Sequence, residues 1–177
     1  MNVFVLCTGR CGSTTMARAC EHMSNFSAAH ESRCDRLGEA RLAYPDRHIE
    51  VDNRLAWFLG RLEEAYGDNA VYVHLQRDVA AVAASYAKRH SKGIMRAYQG
   101  QGIVMGLPTT TAALDVAMDY CNTVNSNIRA FLRDKSQVLE VHVENFEADF
   151  VAFWNAIGAE GDLAAARDEL LQRHNAS

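Results

Sequence analysis

The sequence predicts an α/β fold, a central parallel sheet with helices on both faces. Three observations carry the prediction. Short apolar runs rich in β-formers alternate with segments of helical period, the first run ends in a glycine-containing turn that opens a helix, and the composition is that of an ordinary soluble domain. Of 177 residues, 49% are hydrophobic and 23% charged, close to the ~45–50% and ~25% usual for soluble chains. The length suits one domain spanning residues 1–177. No apolar run approaches the ~18 residues of a membrane span. The first strand-like run starts directly after Met1, too early for a signal peptide, so a cytoplasmic location is expected.

Asn2 to Cys7 is a continuous apolar run bounded by Thr8-Gly9, the pattern of a buried strand. A helix is expected from about Ser13 to Met23, then a short extended segment from Ser27 to Glu31. His48 to Asp52 reads as a strand. In the following Arg54 to Tyr66, residues Leu55, Phe58, Leu59, Leu62 and Tyr66 share one helical face. Ala70 to Gln76 is the next strand, after a Gly67-Asp68-Asn69 turn, and Val79, Val82, Ala83 and Tyr86 make the buried stripe of the helix behind it. Gly93 to Pro108 contains Gly93, Gly100, Gly102 and Gly106 with little periodicity, and reads as a long loop that could serve as a lid or acceptor loop. Ala112 to Leu132 is a long helical pattern, Val138 to Val143 a last strand, and Phe146 to Ile157 and Leu163 to Gln172 two closing helices. Ligands of such sheets bind at the carboxyl ends of the strands, near a topological switch point.

Eighteen Lys plus Arg against twenty-two Asp plus Glu give a net charge of −4. That balance argues against coating nucleic acid with a broad basic surface, so any anion must be held in a local pocket. The five cysteines, Cys7, Cys11, Cys20, Cys34 and Cys121, lack paired CxxC spacing and read as reduced thiols; no metal site is expected.

Such a pocket is readable between the first strand and helix. In Cys7-Thr8-Gly9-Arg10-Cys11-Gly12-Ser13-Thr14-Thr15, the glycines permit tight turning and the amides of a helix N-terminus favour a bound anion. Arg10 offers a planar guanidinium, and Ser13, Thr14 and Thr15 offer hydroxyls. The segment is not a Walker A loop, because Ser13 follows Gly12 directly with no Lys between. By itself it could also be only a tight turn and helix cap. A second candidate lies at the end of the strand that begins near Ala70: Arg77 closes it, Ser85 lies in the next helix, and Arg89 shares the Ser85 face. Alone, Arg77 could be a surface residue beside a helix capped by Asp78.

Together the two segments, Gly-Arg-Cys-Gly-Ser-Thr-Thr and, about seventy residues later, Arg77-Asp78 with Val82, Ser85, Tyr86 and Arg89, resemble the sulfotransferases that use 3′-phosphoadenosine 5′-phosphosulfate. The late segments around Glu140 to Phe146 and Phe153 to Gly158 resemble that family more loosely. The resemblance implies a P-loop NTPase-like three-layer sandwich. It implies that Arg10, Cys11, Gly12, Ser13, Thr14 and Thr15 hold the 5′ end of the sulfuryl donor and that Arg77 and Ser85 hold its 3′-phosphate. The expected product is adenosine 3′,5′-bisphosphate, without a metal. Two departures stand out: Val79 occupies a position usually held by Pro, and the family's C-terminal glycine-rich nucleotide-binding segment has no clear counterpart.

His30-Glu31-Ser32-Arg33 resembles the Glu-Thr-Arg segment of tyrosylprotein sulfotransferases, which implies Glu31 as the base and Arg33 as a group that positions acceptor or sulfate, with His30 as the alternate base. Asp52, at another strand end, is either a second carboxylate of the cleft or the cap of the following helix. Trp57 either lines an acceptor pocket or packs on the sheet. The acceptor is expected to be a small molecule, carbohydrate or peptide with a hydroxyl or amine. A small phosphotransferase using Asp52 to hold Mg²⁺ and a non-catalytic nucleotide-binding protein are the competing readings.

Overall fold

The computed structural model describes residues 1–172. In chain order the regular elements are β1 (Asn2–Leu6), α1 (Ser13–Cys20), β2 (Ser27–His30), β3 (His48–Val51), α2 (Leu59–Tyr66), β4 (Ala70–Gln76), α3 (Val79–Ala87), α4 (Gly93–Ala97), α5 (Ala113–Leu132), β5 (Val138–His142), α6 (Phe146–Ala156) and α7 (Leu163–Leu170). The five strands form one parallel sheet in the order β2-β3-β1-β4-β5.

β1 is at the centre, with Val5 opposite Val51 of β3 and Val73 of β4. All five of its residues are buried, which explains a continuous apolar run where an exposed strand would alternate. The chain leaves β1 towards the β2 edge, returns through β3, and then crosses to β4 and β5 on the other side. Right-handed crossovers in opposite directions put α1 and α2 on opposite faces and create a switch point at the carboxyl end of β1. α1 packs on α7 and α7 on α6, while α3 packs on α5. The result is the expected α/β sandwich, in which β1 and β4 are neighbours and deliver their following loops side by side.

Three elements differ from expectation. The helix over 54–66 is divided into a 3-10 turn, Asn53–Trp57, and α2, because the Asp52 side chain accepts from the Arg54 amide and Phe58 adopts φ −122°, ψ 19°. Leu55 and Phe58, three apart, suit the 3-10 period equally well. The first helix stops at Cys20 so that Met23 can form a bridge with Gly161. The segment from Gly93 is not one loop. It begins with α4 and a wide turn over Tyr98–Gly102, anchored by buried Met95 and Tyr98, and only the stretch from Ile103 to Ala112 is irregular. Asp78 caps α3, accepting from the Ala81 amide at 2.7 Å, and Met16, Met23 and Trp154 are core residues.

Candidate functional site

At the carboxyl end of β1 the backbone turns through three left-handed residues, Gly9 (φ 79°), Arg10 (φ 58°) and Gly12 (φ 78°), before α1 begins. A side chain at Gly9 would collide with the Tyr86 hydroxyl, and a Cβ at Gly12 would lie 3.1 Å from the Phe146 ring and 3.3 Å from Val143. The N-cap of α1 is Gly12, which has no side chain to cap the helix, and the helix that starts at Ser13 ends in backbone amides of the kind that favour an anion. The turn is held from behind: the Tyr86 and Tyr120 hydroxyls donate to Thr8 O at 2.7 and 2.8 Å. Burial pushes both phenols above their usual range, so they remain donors.

The two sequence motifs meet here. Arg10 Nε donates to Ser85 Oγ at 3.1 Å, and Arg77 Nη1 donates to Arg10 O at 3.1 Å. Arg10 is held below its ordinary pKa by burial and by the nearby positive charges of Arg89 and Arg77. Three guanidiniums, Arg10 between β1 and α1, Arg77 just after β4 and Arg89 just after α3, therefore share one positive field, which favours an anion. Ser13 is buried, and its Oγ is 3.1 Å from His30 Nε2. Thr14 is partly exposed and Thr15 buried. Cys11 is fully buried with Cys7; hydrogen bonding to Cys11 and burial push the Cys7 thiol well up. Only the backbone of Cys11 is then available to a ligand.

Glu31 follows β2 directly, with φ +52°, and pairs with Arg54 (Oε2 to Nη1, 2.5 Å). Arg33 donates to Ala40 O at 3.2 Å and lies over the Tyr44 ring, bracing the loop between β2 and β3. Asp52 is fully buried; its Oδ2 accepts from Arg41 at 2.6 Å and its Oδ1 from the Arg54 amide at 2.8 Å. It is a cap and an internal counter-ion, with both oxygens engaged, and burial pushes its pKa up. Trp57 packs on the core beside Tyr98, ring centroids 6.4 Å apart. Sequence reading gave no site role to Arg54, whose place just beyond the β3 end was its one available signal, or to Tyr120, and placed Tyr86 in a buried stripe and in the second motif without its hydrogen bond to Thr8.

A solved structure, the sulfotransferase domain from the curacin biosynthetic pathway, is similar to this chain over 99% of its length and 78% of the other chain, with a TM-score of 0.67 and 16% identity. The chain has a sulfotransferase fold. No family model matches it, and no curated protein matches it in sequence. In the sulfotransferase fold of this chain, Arg10, Arg77 and Ser85 converge from elements that the topology places side by side. Among the described residues no cluster of three or more His, Cys, Asp or Glu could hold a metal ion, and no helix is long and apolar enough to cross a membrane.

Proposed function

We propose that the protein moves a sulfuryl group from 3′-phosphoadenosine 5′-phosphosulfate to a hydroxyl or amine acceptor. The observation that carries the reading is the meeting of two remote motifs, Arg10 on Ser85 and Arg77 on the Arg10 carbonyl. An anion with two phosphate ends needs two neighbouring cationic subsites, and the left-handed turn through Gly9, Arg10 and Gly12 leads directly into the N-terminus of α1, a favourable place for the first phosphate. The amides of Gly12 to Thr15 and the Arg10 guanidinium would hold the 5′ end, and Arg77 with Ser85 the 3′-phosphate.

The donor supplies an activated S–O bond: the acceptor oxygen or nitrogen bonds to sulfur, the bond to the 5′-phosphate breaks, and the electron pair leaves with that phosphate. The protein's part is to align the acceptor, take its proton and offset charge on the departing oxygens. Glu31, at the end of β2, takes the proton in this reading, with Arg33 on the acceptor side. His30 is the second reading, favoured by its 3.1 Å contact with Ser13 Oγ in the 5′ loop. A magnesium-dependent phosphotransferase is disfavoured, because Arg41 and the Arg54 amide already occupy Asp52.

Calorimetry without divalent metal is the test. Adenosine 3′,5′-bisphosphate is expected to bind in the micromolar range and more tightly than AMP. Arg77→Ala should weaken the bisphosphate at least tenfold, about 1.4 kcal/mol, and leave AMP unchanged. Equal losses for both ligands would make Arg77 structural. With an acceptor found by screening against labelled sulfuryl donor, Glu31→Gln should lower turnover ~10²- to 10⁴-fold without changing bisphosphate affinity. The same loss in His30→Gln, with Glu31→Gln fully active, would move the base to His30; tight binding without turnover on any acceptor would leave a nucleotide-binding protein.

A further inference from the structure

The turn that carries Glu31 is held by charged groups the reading above does not use. A left-handed conformation costs a non-glycine residue on the order of 1 kcal/mol and persists only where its neighbours impose it. At Glu31 they do so from several directions. Its own N–H donates to Val51 O at 3.1 Å. The next residue, Ser32, donates its N–H to one oxygen of Glu50 at 2.7 Å and its hydroxyl to the other at 2.6 Å. Glu50 is fully buried in β3 and is held in turn by His48 Nε2 at 3.0 Å, while His48 Nδ1 meets Ser27 Oγ at 2.8 Å. A polar chain thus runs from Ser27 at the start of β2 to Ser32, the residue after Glu31.

The carboxylate is held separately. Arg54 takes Oε2 of Glu31, and among the described residues none hydrogen-bonds Oε1. Arg54 is itself fixed at its amide by Asp52, and Asp52 by buried Arg41. Burying the Glu50 carboxylate in β3 is expensive, and an apolar residue would serve the sheet better there. The expense is explained if the object is to fix Glu31.

We infer that Glu50 and Arg54 are positioning residues for Glu31: Glu50 locks the turn, and Arg54 locks the carboxylate while leaving its second oxygen to the acceptor. This rests on the proposed role of Glu31. Arg54→Ala and Glu50→Gln are expected to lower kcat about tenfold or more without changing donor KM or bisphosphate affinity, and Arg54→Lys should recover much of the loss. In a Glu31→Gln background the same substitutions should cost nothing further, because residues that act through one group are non-additive. Full additive losses would overturn the inference. Amide hydrogen exchange supplies a readout that needs no turnover. Protection at Glu31 and Ser32 should fall at least tenfold in Glu50→Ala and in Arg54→Ala while β1 and β4 keep theirs, and unchanged protection at the turn would overturn the inference. Failure of the sulfotransferase reading is distinct: the wild-type protein would not bind the bisphosphate, yet the turn would still respond.

Discussion

Gly12 shows how much of the site depends on one missing side chain. Its φ of 78° and the Phe146 and Val143 side chains leave no comfortable place for a Cβ. Gly12→Ala is expected to destabilise the fold by ~1–3 kcal/mol through backbone strain and to weaken the bisphosphate further, by tilting the first amides of α1; denaturant unfolding and calorimetry read the two effects separately. His74 gives a pH dependence that has nothing to do with the site. It is 1% exposed, donates from Nε2 to Asn125 Oδ1 at 3.2 Å, and burial lowers its pKa from the ordinary ~6.5. Below about pH 6.5 the unfolded chain therefore binds a proton that the folded protein refuses. Stability from this residue is complete above that pH and is lost as pH falls towards the folded value. His74→Gln should flatten that part of a pH series of unfolding midpoints.

Among the elements, the loop from Thr8 to Gly12 is a strained segment held by others. Tyr86 of α3 and Tyr120 of α5 both donate to Thr8 O, so the helices behind the sheet fix the turn in front of it. Tyr86→Phe or Tyr120→Phe is expected to cost ~1 kcal/mol, and the double variant more than the sum, since among the described residues the buried carbonyl then keeps only the long 3.5 Å contact with Asn53 Nδ2. Urea unfolding of the three variants checks this. Legibility also divides at this scale. β4 was readable to the residue, because a strand buried on both faces is written as a largely apolar run, here interrupted by His74, and glycine and aspartate mark its start. The 54–66 segment was misread because Leu55, Phe58, Leu59 and Leu62 satisfy a 3-10 turn plus a short helix as well as one long helix; only the Asp52 cap decides between them. In 93–108 the glycines masked Met95 and Tyr98, which anchor its first half. Limited proteolysis should accordingly cut within the irregular Ile103–Ala112 stretch, and nucleotide should slow it if that stretch closes over the acceptor.

For the molecule as a whole, the sheet was legible because strand and helix alternate with turn residues between them, while the site was legible only in part. Arg10, Ser13, Arg77 and Ser85 stand out as candidates by residue type and by their place beside strand ends, and the fold brings Arg10, Arg77 and Ser85 together. Arg54 and Glu50 do not, since an Arg near a strand end and a Glu inside one look like a surface charge and a packing error until the fold brings them to Glu31. The same topology sets the last expected outcome. β1 and β4 are adjacent, and the proposed ligand would bridge the loop after one to the helix after the other, cross-linking two segments remote in sequence. A ligand that binds only the folded state at one hundred times its Kd adds about 2.7 kcal/mol of stability, and for a chain of this size each kcal/mol raises Tm by ~2–4 °C. Saturating bisphosphate should therefore raise Tm by roughly 5–11 °C without metal. Arg77→Ala should reduce that shift to the smaller value given by AMP, because only the loop after β1 would then be engaged. A full shift in Arg77→Ala would mean that the β4 side takes no part in holding the anion.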